Sequence, residues 1–274
     1  MTYTLTPQQL EAYLARIGVA RPARADAAAL GAVHRAHALG FTWEAIDCFM
    51  GWPVSLDPQA TWTKLVAGRR GGWCYELNGL LGAALSALGF AVTRLCGGVR
   101  REDIGEDMVG NHLTLRVDLP EGPWLAETGL GDALVDPIPL RPGAVTQRGY
   151  AFAIEPADGD WLRFRNHPWA GGPSFDFRAD YADEERLAGM HAFLRSNAQS
   201  PFVNNLVVQR HFPDRIESVL NRTRRTVTPN GVRERPIGSA DELGGLFERV
   251  FAIEVPEIAA VWDKAGQASG PAFG

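Results

Sequence analysis

The chain of 274 residues is poor in lysine, in cysteine and in long apolar stretches. Only Lys64 and Lys264 are lysines among 27 basic residues, and we interpret this skew towards arginine as compositional rather than functional. The three cysteines, at 48, 74 and 96, form no Cys-x-x-Cys pair, which argues against a disulfide framework and a structural zinc site. The longest apolar stretch, 80–92, has 13 residues, whereas a bilayer-spanning helix needs about 20.

The charge balance argues against two further classes of partner. With 32 acidic and 27 basic residues the net charge is −5, so the chain has no overall attraction to nucleic acid or to anionic membranes. Apolar residues make up 46%, which is enough for a packed core. The amino terminus lacks the basic start and apolar core of a signal peptide. We therefore expect a soluble, cytoplasmic protein of two domains or one large one.

Helical periodicity dominates the first third of the chain. A first helix is predicted between the capping box at 6–9 and Gly18, and a second over 26–40. The third, over 74–88, has the most regular apolar spacing in the sequence. From about Phe90 the apolar period changes to two, which predicts β-strands.

The predicted strands are short and are separated by proline and glycine. Residues 112–119 alternate apolar and polar side chains, and the turn at 119–123 leads to a second strand over 124–128. Further strands are predicted at 150–155, 161–165 and 205–210, and a final helix after a capping box at Ser239. Short, densely punctuated strands are typical of a barrel or a sandwich.

Residues 69–78, Arg-Arg-Gly-Gly-Trp-Cys-Tyr-Glu-Leu-Asn, form the most informative segment. Two glycines permit a tight turn, and Cys74 follows at the first turn of a long helix. The partial positive charge of a helix amino terminus favours a thiolate, which is the nucleophilic form. The alternative is a small buried apolar residue, which is what most free cysteines are. We assign that structural role to Cys48 and Cys96.

A cysteine nucleophile needs an imidazole base, and the imidazole needs an acceptor that orients it. His112 is the candidate base and Glu127, 15 residues later, is the candidate acceptor. We expect His112 to point away from the face that its strand buries. If Glu121 and Gly122 form a two-residue hairpin loop, His112 and Glu127 share a sheet face. That register places Arg116 opposite Glu127, so a bulge or another register is needed to join the pair.

The motif in residues 70–78 resembles the signature of the arylamine N-acetyltransferases, Arg-Gly-Gly-aromatic-Cys-x-Glu-x-Asn, at every fixed position. The order of Cys74, His112 and an acid in Glu-Thr-Gly-Leu-Gly, at 127–131, also resembles that family. Two further segments are similar to it, at 55–66 and at the Ser-Pro-Phe of 200–202.

Two departures from the family pattern bear on the site. The family usually has Asp where this chain has Glu127, whose additional methylene lengthens the reach by about one C–C bond. The family's Pro-Phe-Glu-Asn element is Thr-Trp-Glu-Ala at 42–45, with only Glu44 retained. We expect Glu44 to pair with Arg70 behind the nucleophile loop.

The resemblance implies an α+β fold with a cysteine-protease-like core. We expect an N-terminal helical bundle over 1–88 that carries Cys74, and a central β-barrel over 89–195 that carries His112 and Glu127. A C-terminal α/β lid with a loose tail is expected over 196–274. The active site would lie between the first two regions.

The activity that the resemblance implies is a ping-pong acetyl transfer. Cys74 would take the acetyl group from acetyl-CoA as a thioester, and an arylamine, arylhydrazine or arylhydroxylamine would accept it. The backbone N–H of Tyr75 is a candidate oxyanion donor, and Leu130 and Tyr75 are the candidate pocket residues. Acetyl-CoA serves as a cosubstrate, no metal is expected, the CoA-binding residues are not assigned, and a homodimer stays open.

Three alternatives stay open at this point. Some members of the superfamily are amide synthases that release a polyketide chain as a macrolactam, and the departures at 42–45 are compatible with that role. A papain- or transglutaminase-like cysteine hydrolase shares the order of cysteine, histidine and acid. A non-catalytic binding module could retain the fold, with Glu127 as a sign of lost activity.

Overall fold

A computed structural model describes residues 4–268. The α-helices in that range are α1 (Pro7–Ile17), α2 (Ala27–Gly40), α3 (Ile46–Met50), α4 (Pro58–Trp62), α5 (Cys74–Ala87), α6 (Arg101–Ile104), α7 (Glu184–Ser196), α8 (Pro201–Asn204), α9 (Ala240–Leu246) and α10 (Ile258–Ala265). Two π-helical turns, Thr63–Ala67 and Phe247–Phe251, extend α4 and α9, and a 3₁₀ turn spans Glu106–Met108.

The strands form two antiparallel sheets. They are β1 (Trp43–Glu44), β2 (Ala91–Val99), β3 (His112–Leu119), β4 (Gly122–Ala126), β5 (Ile138–Pro139), β6 (Gly143–Gln147), β7 (Tyr150–Pro156), β8 (Leu162–Arg165), β9 (Ser174–Phe177), β10 (Val207–His211), β11 (Ile216–Leu220), β12 (Thr223–Thr228) and β13 (Gly231–Pro236). The larger sheet has the order β5-β4-β3-β2-β9-β8-β7-β6 and curls into a nearly closed barrel. The smaller sheet has the order β1-β10-β11-β12-β13. The expected α+β class is confirmed.

The helices α1 and α2 begin where their capping residues predict. The Thr6 hydroxyl accepts the Gln9 N–H at 3.3 Å, while Gln9 Oε1 accepts the Thr6 N–H at 3.0 Å. Gly18, with φ 72°, ends α1. The Asp26 carboxylate accepts the Ala29 N–H at 2.9 Å and starts α2. Local capping chemistry therefore sets these boundaries.

Helix α5 crosses the interior of the protein, and nearly all of its residues are buried. Its apolar side chains, including Leu77 and Leu81, share a core with Leu113 and Leu115 of β3. The predicted helix at 74–88 is confirmed, and Cys74 is its first residue. This packing holds the amino terminus of α5 against the end of the barrel at which β3 begins.

The β3–β4 hairpin differs from the expected one by its register. Leu119 pairs with Gly122, so the loop consists of Pro120 and Glu121 rather than of Glu121 and Gly122. The physical reason is the positive φ of Gly122, 126°, which closes the turn one residue earlier than expected. Continuing this register past the pair Leu115–Ala126 places residue 127 opposite residue 114, two positions from His112. No bulge is needed to join His112 and Glu127.

His112 lies on the face of β3 opposite its apolar side chains, as expected, but this second face is buried as well. The apolar side chains of β3, at 113, 115 and 117, pack towards the helices, but His112 and Thr114 on the other face are buried as well. They lie on the barrel side of the strand, where Phe175 of β9 contacts the His112 ring. Both faces of β3 are covered at this end because helices flank it on one side and the barrel on the other.

The expected division at 88/89 and 195/196 stays a prediction. Strands β2–β9 fall within 89–195, yet β1, from the first region, pairs with β10 of the third. Part of the expected loose tail, 269–274, lies outside the described residues. None of the helices within residues 4–268 combines the length and the apolar character that crossing a bilayer requires.

Several short elements are not predicted from the periodicity. Helices α3, α4, α6 and α8 have five residues or fewer, too few to display a helical period. In contrast, α7 does carry a signal, because its buried residues Leu187, His191 and Leu194 stand at i, i+4 and i+7. Its remaining residues are largely polar, which hides that stripe in a simple count of apolar residues.

The barrel core can be tested with two phenylalanines of different burial. Phe177 is fully buried among barrel side chains, whereas Phe193 on α7 is 39% exposed. Phe177→Ala should lower the free energy of unfolding by about 3–5 kcal/mol, because it leaves a cavity. Phe193→Ala should lower it by less than about 1 kcal/mol. Urea denaturation followed by circular dichroism measures both, and equal losses would contradict this assignment of the core.

Candidate active site

Two glycines bring the chain to Cys74 by a path that only glycine can follow. A Cβ on Gly71 would collide with the carbonyl oxygen of Thr42, and one on Gly72 would lie 2.8 Å from Glu76 Cβ. Cys74 follows at the first position of α5, where the N–H groups of the first turn point away from the helix. The thiol is 3% exposed, so it lies in a largely dry site at the positive end of a helix.

His112 connects the thiol to a carboxylate. Its Nε2 lies 2.9 Å from Glu127 Oε2, and both side chains are at most 1% exposed. The remaining ring nitrogen, Nδ1, is the one that can hydrogen-bond Cys74. Gly97 of β2 passes so close that a Cβ there would lie 3.2 Å from the His112 ring. The ring is therefore confined between its two polar partners.

The charges of this group stabilise one another. Burial alone would lower the pKa of His112, but the charge of Glu127 and the interactions with Cys74 outweigh it and raise the pKa to about 10. Burial alone would raise the pKa of Glu127, but the charge of His112 and the hydrogen bonds from His112 and Asn78 hold it below its usual range. The pair is thus an imidazolium and a carboxylate near neutral pH.

Glu127 is held by its own loop as well as by His112. Its Oε1 accepts the backbone N–H of Gly129 at 2.5 Å and that of Leu130 at 2.9 Å. The Asn78 amide nitrogen lies 3.2 Å from both carboxylate oxygens. These donors satisfy a buried charge that would otherwise be strongly unfavourable.

Asn78 joins three parts of the site. Its amide nitrogen donates to the carbonyl oxygen of Leu113 at 2.6 Å, and its oxygen accepts the backbone N–H of Thr128 at 2.9 Å. It follows Cys74 by four residues and so lies on the same face of α5. That spacing is a sequence signal for Asn78, although we assigned it no role from the sequence.

His34 of α2 supports Glu127 from behind. Its Nε2 accepts the backbone N–H of Glu127 at 2.9 Å, so its Nδ1 must carry the proton that is donated to the carbonyl oxygen of Val135 at 2.8 Å. Burial lowers the pKa of His34, which agrees with this neutral form. No local sequence signal identifies His34, because its partners lie 93 and 101 residues away.

The two candidate pocket residues have different surroundings. The Tyr75 ring is buried against Trp73 and His191, and its hydroxyl donates to the carbonyl oxygen of Gly110 at 2.5 Å. Leu130 is half-buried and packs against the barrel core. The expected contact between Glu44 and Arg70 is present, with Arg70 Nη2 2.8 Å from Glu44 Oε1.

The site is built from a thiol, an imidazole and a carboxylate. Across 4–268, no three His, Cys, Asp or Glu side chains are grouped in a way that could hold a metal ion. A thiol at a helix amino terminus, an imidazolium and a buried carboxylate in series are instead the groups that acyl transfer through cysteine requires.

Comparison with known proteins agrees with this chemistry. A family model described as N-acetyltransferase matches residues 26–260. The chain is 31% identical over 260 residues to an arylamine N-acetyltransferase of Escherichia coli K12, covering 90% of each. The chain belongs to the arylamine N-acetyltransferase family.

Two further proteins are similar to this arylamine N-acetyltransferase family member over most of its length. A Mycobacterium marinum arylamine N-acetyltransferase solved in complex with CoA has 26% identity and a TM-score of 0.85, covering 94% of this chain and 99% of that one. A proansamycin X synthase of Amycolatopsis mediterranei is 27% identical over 255 residues, covering 89% of this chain and 96% of that protein. The present chain is thus an acetyltransferase by family, and proansamycin X synthase is among its relatives.

The ion pair of His112 with Glu127 predicts a pH dependence for this acetyltransferase. Because the pKa of His112 is raised, the stability that this group contributes is fully present below its unfolded value and is lost as the pH rises through about 10. Glu127→Gln removes the carboxylate charge, so the pKa of His112 should fall well below 10. An NMR titration of the His112 ring measures it.

The control for that titration is Glu121→Gln, in the exposed β3–β4 loop. This variant removes an equal charge from the surface and should leave the His112 titration unchanged. If His112 titrates alike in wild type and Glu127→Gln, the ion pair does not determine its charge.

The close approach of Gly129 to the site predicts a strong effect of a single methyl group. A Cβ on Gly129 would lie 2.5 Å from Asn78 Nδ2 and 2.9 Å from Cys74 Cβ. Gly129→Ala should therefore destabilise the protein by about 1–3 kcal/mol and lower its acetyltransferase activity. Thermal melting and a turnover assay measure the two effects.

Gly189 in α7 provides the matched control. A Cβ there meets no heavy atom within 4 Å, and the residue lies inside a helix. Gly189→Ala should therefore leave activity unchanged and stabilise the protein by up to about 1 kcal/mol. Equal behaviour of the two variants would refute the close packing inferred around Gly129.

Proposed function

We propose that this acetyltransferase transfers an acetyl group from acetyl-CoA through a thioester on Cys74 to the nitrogen of an arylamine, arylhydrazine or arylhydroxylamine. The observation that carries the proposal is the buried series of Cys74, His112 and Glu127, with His112 Nε2 2.9 Å from Glu127 Oε2. In this proposal Cys74 is the nucleophile, His112 the acid and base, and Glu127 the group that orients His112.

The first half-reaction forms the acetyl-enzyme. The Cys74 thiolate attacks the carbonyl carbon of the acetyl thioester and forms a new C–S bond, and the negative charge moves to the carbonyl oxygen. The carbonyl then reforms, the bond to the CoA sulfur breaks, and that sulfur takes the proton from the His112 imidazolium. CoA leaves as a thiol.

An N–H group at the start of α5 is available to the negative oxygen. The N–H groups of Glu76 and Leu77 both donate to the carbonyl oxygen of Trp73, at 3.0 and 2.9 Å. The Tyr75 N–H precedes them in the same turn, where no carbonyl group of the helix can reach it. We therefore keep Tyr75 as the oxyanion donor through its backbone, and its buried side chain as a support.

The second half-reaction discharges the thioester. The amine nitrogen attacks the acetyl carbon and loses a proton to the neutral His112, and the C–S bond breaks to regenerate the Cys74 thiolate. The product is the N-acetylated arylamine, arylhydrazine or arylhydroxylamine. Glu127 stabilises the imidazolium that each cycle restores.

Leu130 is proposed to line the acceptor pocket. The backbone N–H of Leu130 donates to Glu127 Oε1 at 2.9 Å, which places this residue next to the three proposed catalytic side chains. A half-buried leucine offers apolar surface to an aryl ring without a polar group that would need a partner. The CoA-binding residues are not assigned.

We also propose a cytoplasmic location. Thiols stay reduced in that compartment, and the three cysteines are free in the structure. A nucleophilic Cys74 requires such reducing conditions, because oxidation would remove the reactive sulfur.

Intact mass spectrometry after mixing with acetyl-CoA tests the proposal. The wild-type protein should gain one acetyl group that maps to Cys74 and is removed on adding an arylhydrazine. Cys74→Ala should gain no acetyl group. Cys96→Ala should still be acetylated, because Cys96 is a buried cysteine whose thiol donates a hydrogen bond to the carbonyl oxygen of Asp183. Turnover by Cys74→Ala would overturn the proposal.

The same experiment distinguishes the macrolactam-forming alternative, which the changed segment 42–45 and the proansamycin X synthase relative both raise. An amide synthase of that kind would be loaded by a long acyl thioester on a carrier protein and would release it through an internal amine. Acetylation by acetyl-CoA followed by release to a separate arylamine decides against that role. Peptide cleavage without use of acetyl-CoA would indicate a hydrolase.

A further inference from the structure

Five charged side chains are gathered behind the nucleophile loop. We name them the buried charge cluster: Glu44, Asp47, Lys64, Arg70 and Glu76. All five are largely removed from solvent, with side-chain exposures of 15% or less. Buried charges persist in proteins when each has a partner, so this arrangement calls for a physical explanation.

Lys64 lies at the centre of the buried charge cluster. Its Nζ is 3.0 and 2.9 Å from the two carboxylate oxygens of Glu76, and 2.8 Å from Asp47 Oδ2. A third carboxylate, that of Glu44, lies 3.9 Å away. Arg70 is occupied elsewhere, since its guanidinium binds Glu44 and Asp47 at 2.8 and 2.6 Å. Within residues 4–268, Lys64 is the cation that forms an ion pair with Glu76.

Glu76 links Lys64 to the nucleophile. It is the third residue of α5, two positions after Cys74 and in the same helical turn. Its Oε2 accepts the backbone N–H of Trp73, the residue before Cys74, at 3.3 Å. The carboxylate thus spans the first turn of α5 on the side away from His112, and Lys64 binds both of its oxygens.

The charge balance of the cluster makes Lys64 necessary for an ionised Glu76. Two cations face three carboxylates, so loss of one cation would leave two negative charges in excess. Burial raises the pKa of Glu76 to about 7, and the charge and hydrogen bonds of Lys64 act in the opposite direction. Without Lys64, the carboxyl group of Glu76 would take up a proton and would no longer form an ion pair.

We propose that Lys64 is a positioning residue for Cys74, because its ion pair with Glu76 fixes the first turn of α5 and thereby the placement of the thiol against His112. Lys64 touches neither substrate nor the reacting sulfur and acts through Glu76. This role rests on the proposed function of Cys74 as the nucleophile. It gives one of the two lysines of the chain a function that the composition does not suggest.

Other titratable groups face these residues and must be considered in a pH profile. Cys74 is faced by His112 from β3 and interacts electrostatically with Tyr75 of its own helix. Glu76 is faced by Lys64, Glu44 and Asp47, and it also acts on the Cys48 thiol. Burial raises the pKa values of Cys48 and of Tyr75 further above neutral pH. Burial brings the pKa of Glu76 itself to about 7, within the pH range of the test.

The test is the rate at which iodoacetamide alkylates Cys74 in the full chain between pH 5 and 9, with the modified residue mapped by mass spectrometry. In wild type the rate should show an inflection near pH 7, rising as Glu76 becomes ionised and its ion pair forms. Lys64→Met should lower the rate at pH 7 about tenfold and move the inflection to higher pH. Lys64→Arg retains the cation and should recover most of the rate.

Lys264 provides the matched control for removal of a lysine. Its Nζ binds the carbonyl oxygen of Phe49 and forms no contact with Glu76. Lys264→Met should leave the alkylation profile of Cys74 as in wild type. A purely structural effect of losing a lysine would lower stability without moving the inflection, and circular dichroism and thermal melting separate the two effects.

A second variant keeps the proposal testable if Lys64→Met does not fold. Glu76→Gln retains an oxygen that can accept the Trp73 N–H but cannot ionise, so the inflection near pH 7 should disappear. An unchanged profile in Glu76→Gln, or in folded Lys64→Met, overturns the proposal. The readout needs no acetyl-CoA, so failure of the wild-type protein to become acetylated would count against the proposed function alone.

Discussion

The buried carboxylate of Glu127 is the constraint on which the rest of the site depends. A carboxylate without solvent needs several donors, and here they come from a strand, a helix and its own loop: His112, Asn78 and the N–H groups of Gly129 and Leu130. Meeting that need fixes the His112 ring, the 127–130 loop and the first turns of α5 relative to one another. Satisfying one buried charge therefore also aligns the groups that the proposed chemistry uses.

Helix α5 is held near its amino terminus by two buried carboxylates, Glu127 and Glu76. Towards the barrel, Asn78 ties the helix to Glu127, while behind it Lys64 ties Glu76 to Asp47. The amino terminus of the helix lies between these anchors and favours a negative charge on Cys74. Two carboxylates close to a thiolate would oppose that charge, but each is paired with its own cation, His112 or Lys64. Because both carboxylates are paired with a cation, the amino terminus of α5 can still stabilise a negative charge on Cys74.

Local chemistry determined what could be predicted from the sequence. Helices α1, α2 and α5 were predictable because caps and apolar spacing lie within each segment, and Cys74 because its motif is continuous. The shared face of His112 and Glu127 followed from parity alone. The register did not, because a positive φ at Gly122 decided it. His34 was missed because its partner is distant in sequence, and Lys64 because composition cannot reveal burial.

The replacement of the family's usual Asp by Glu127 finds a physical explanation in the same contacts. A longer side chain brings another rotatable bond, which would loosen the carboxylate if His112 were its only partner. Here Oε1 turns back to the N–H groups of Gly129 and Leu130, while Oε2 faces His112. The backbone loop thus fixes one oxygen and leaves the other to orient the imidazole. Because that loop approaches Cys74 and Asn78 closely, position 129 requires glycine, and the N–H of this glycine is the one that binds Glu127 Oε1.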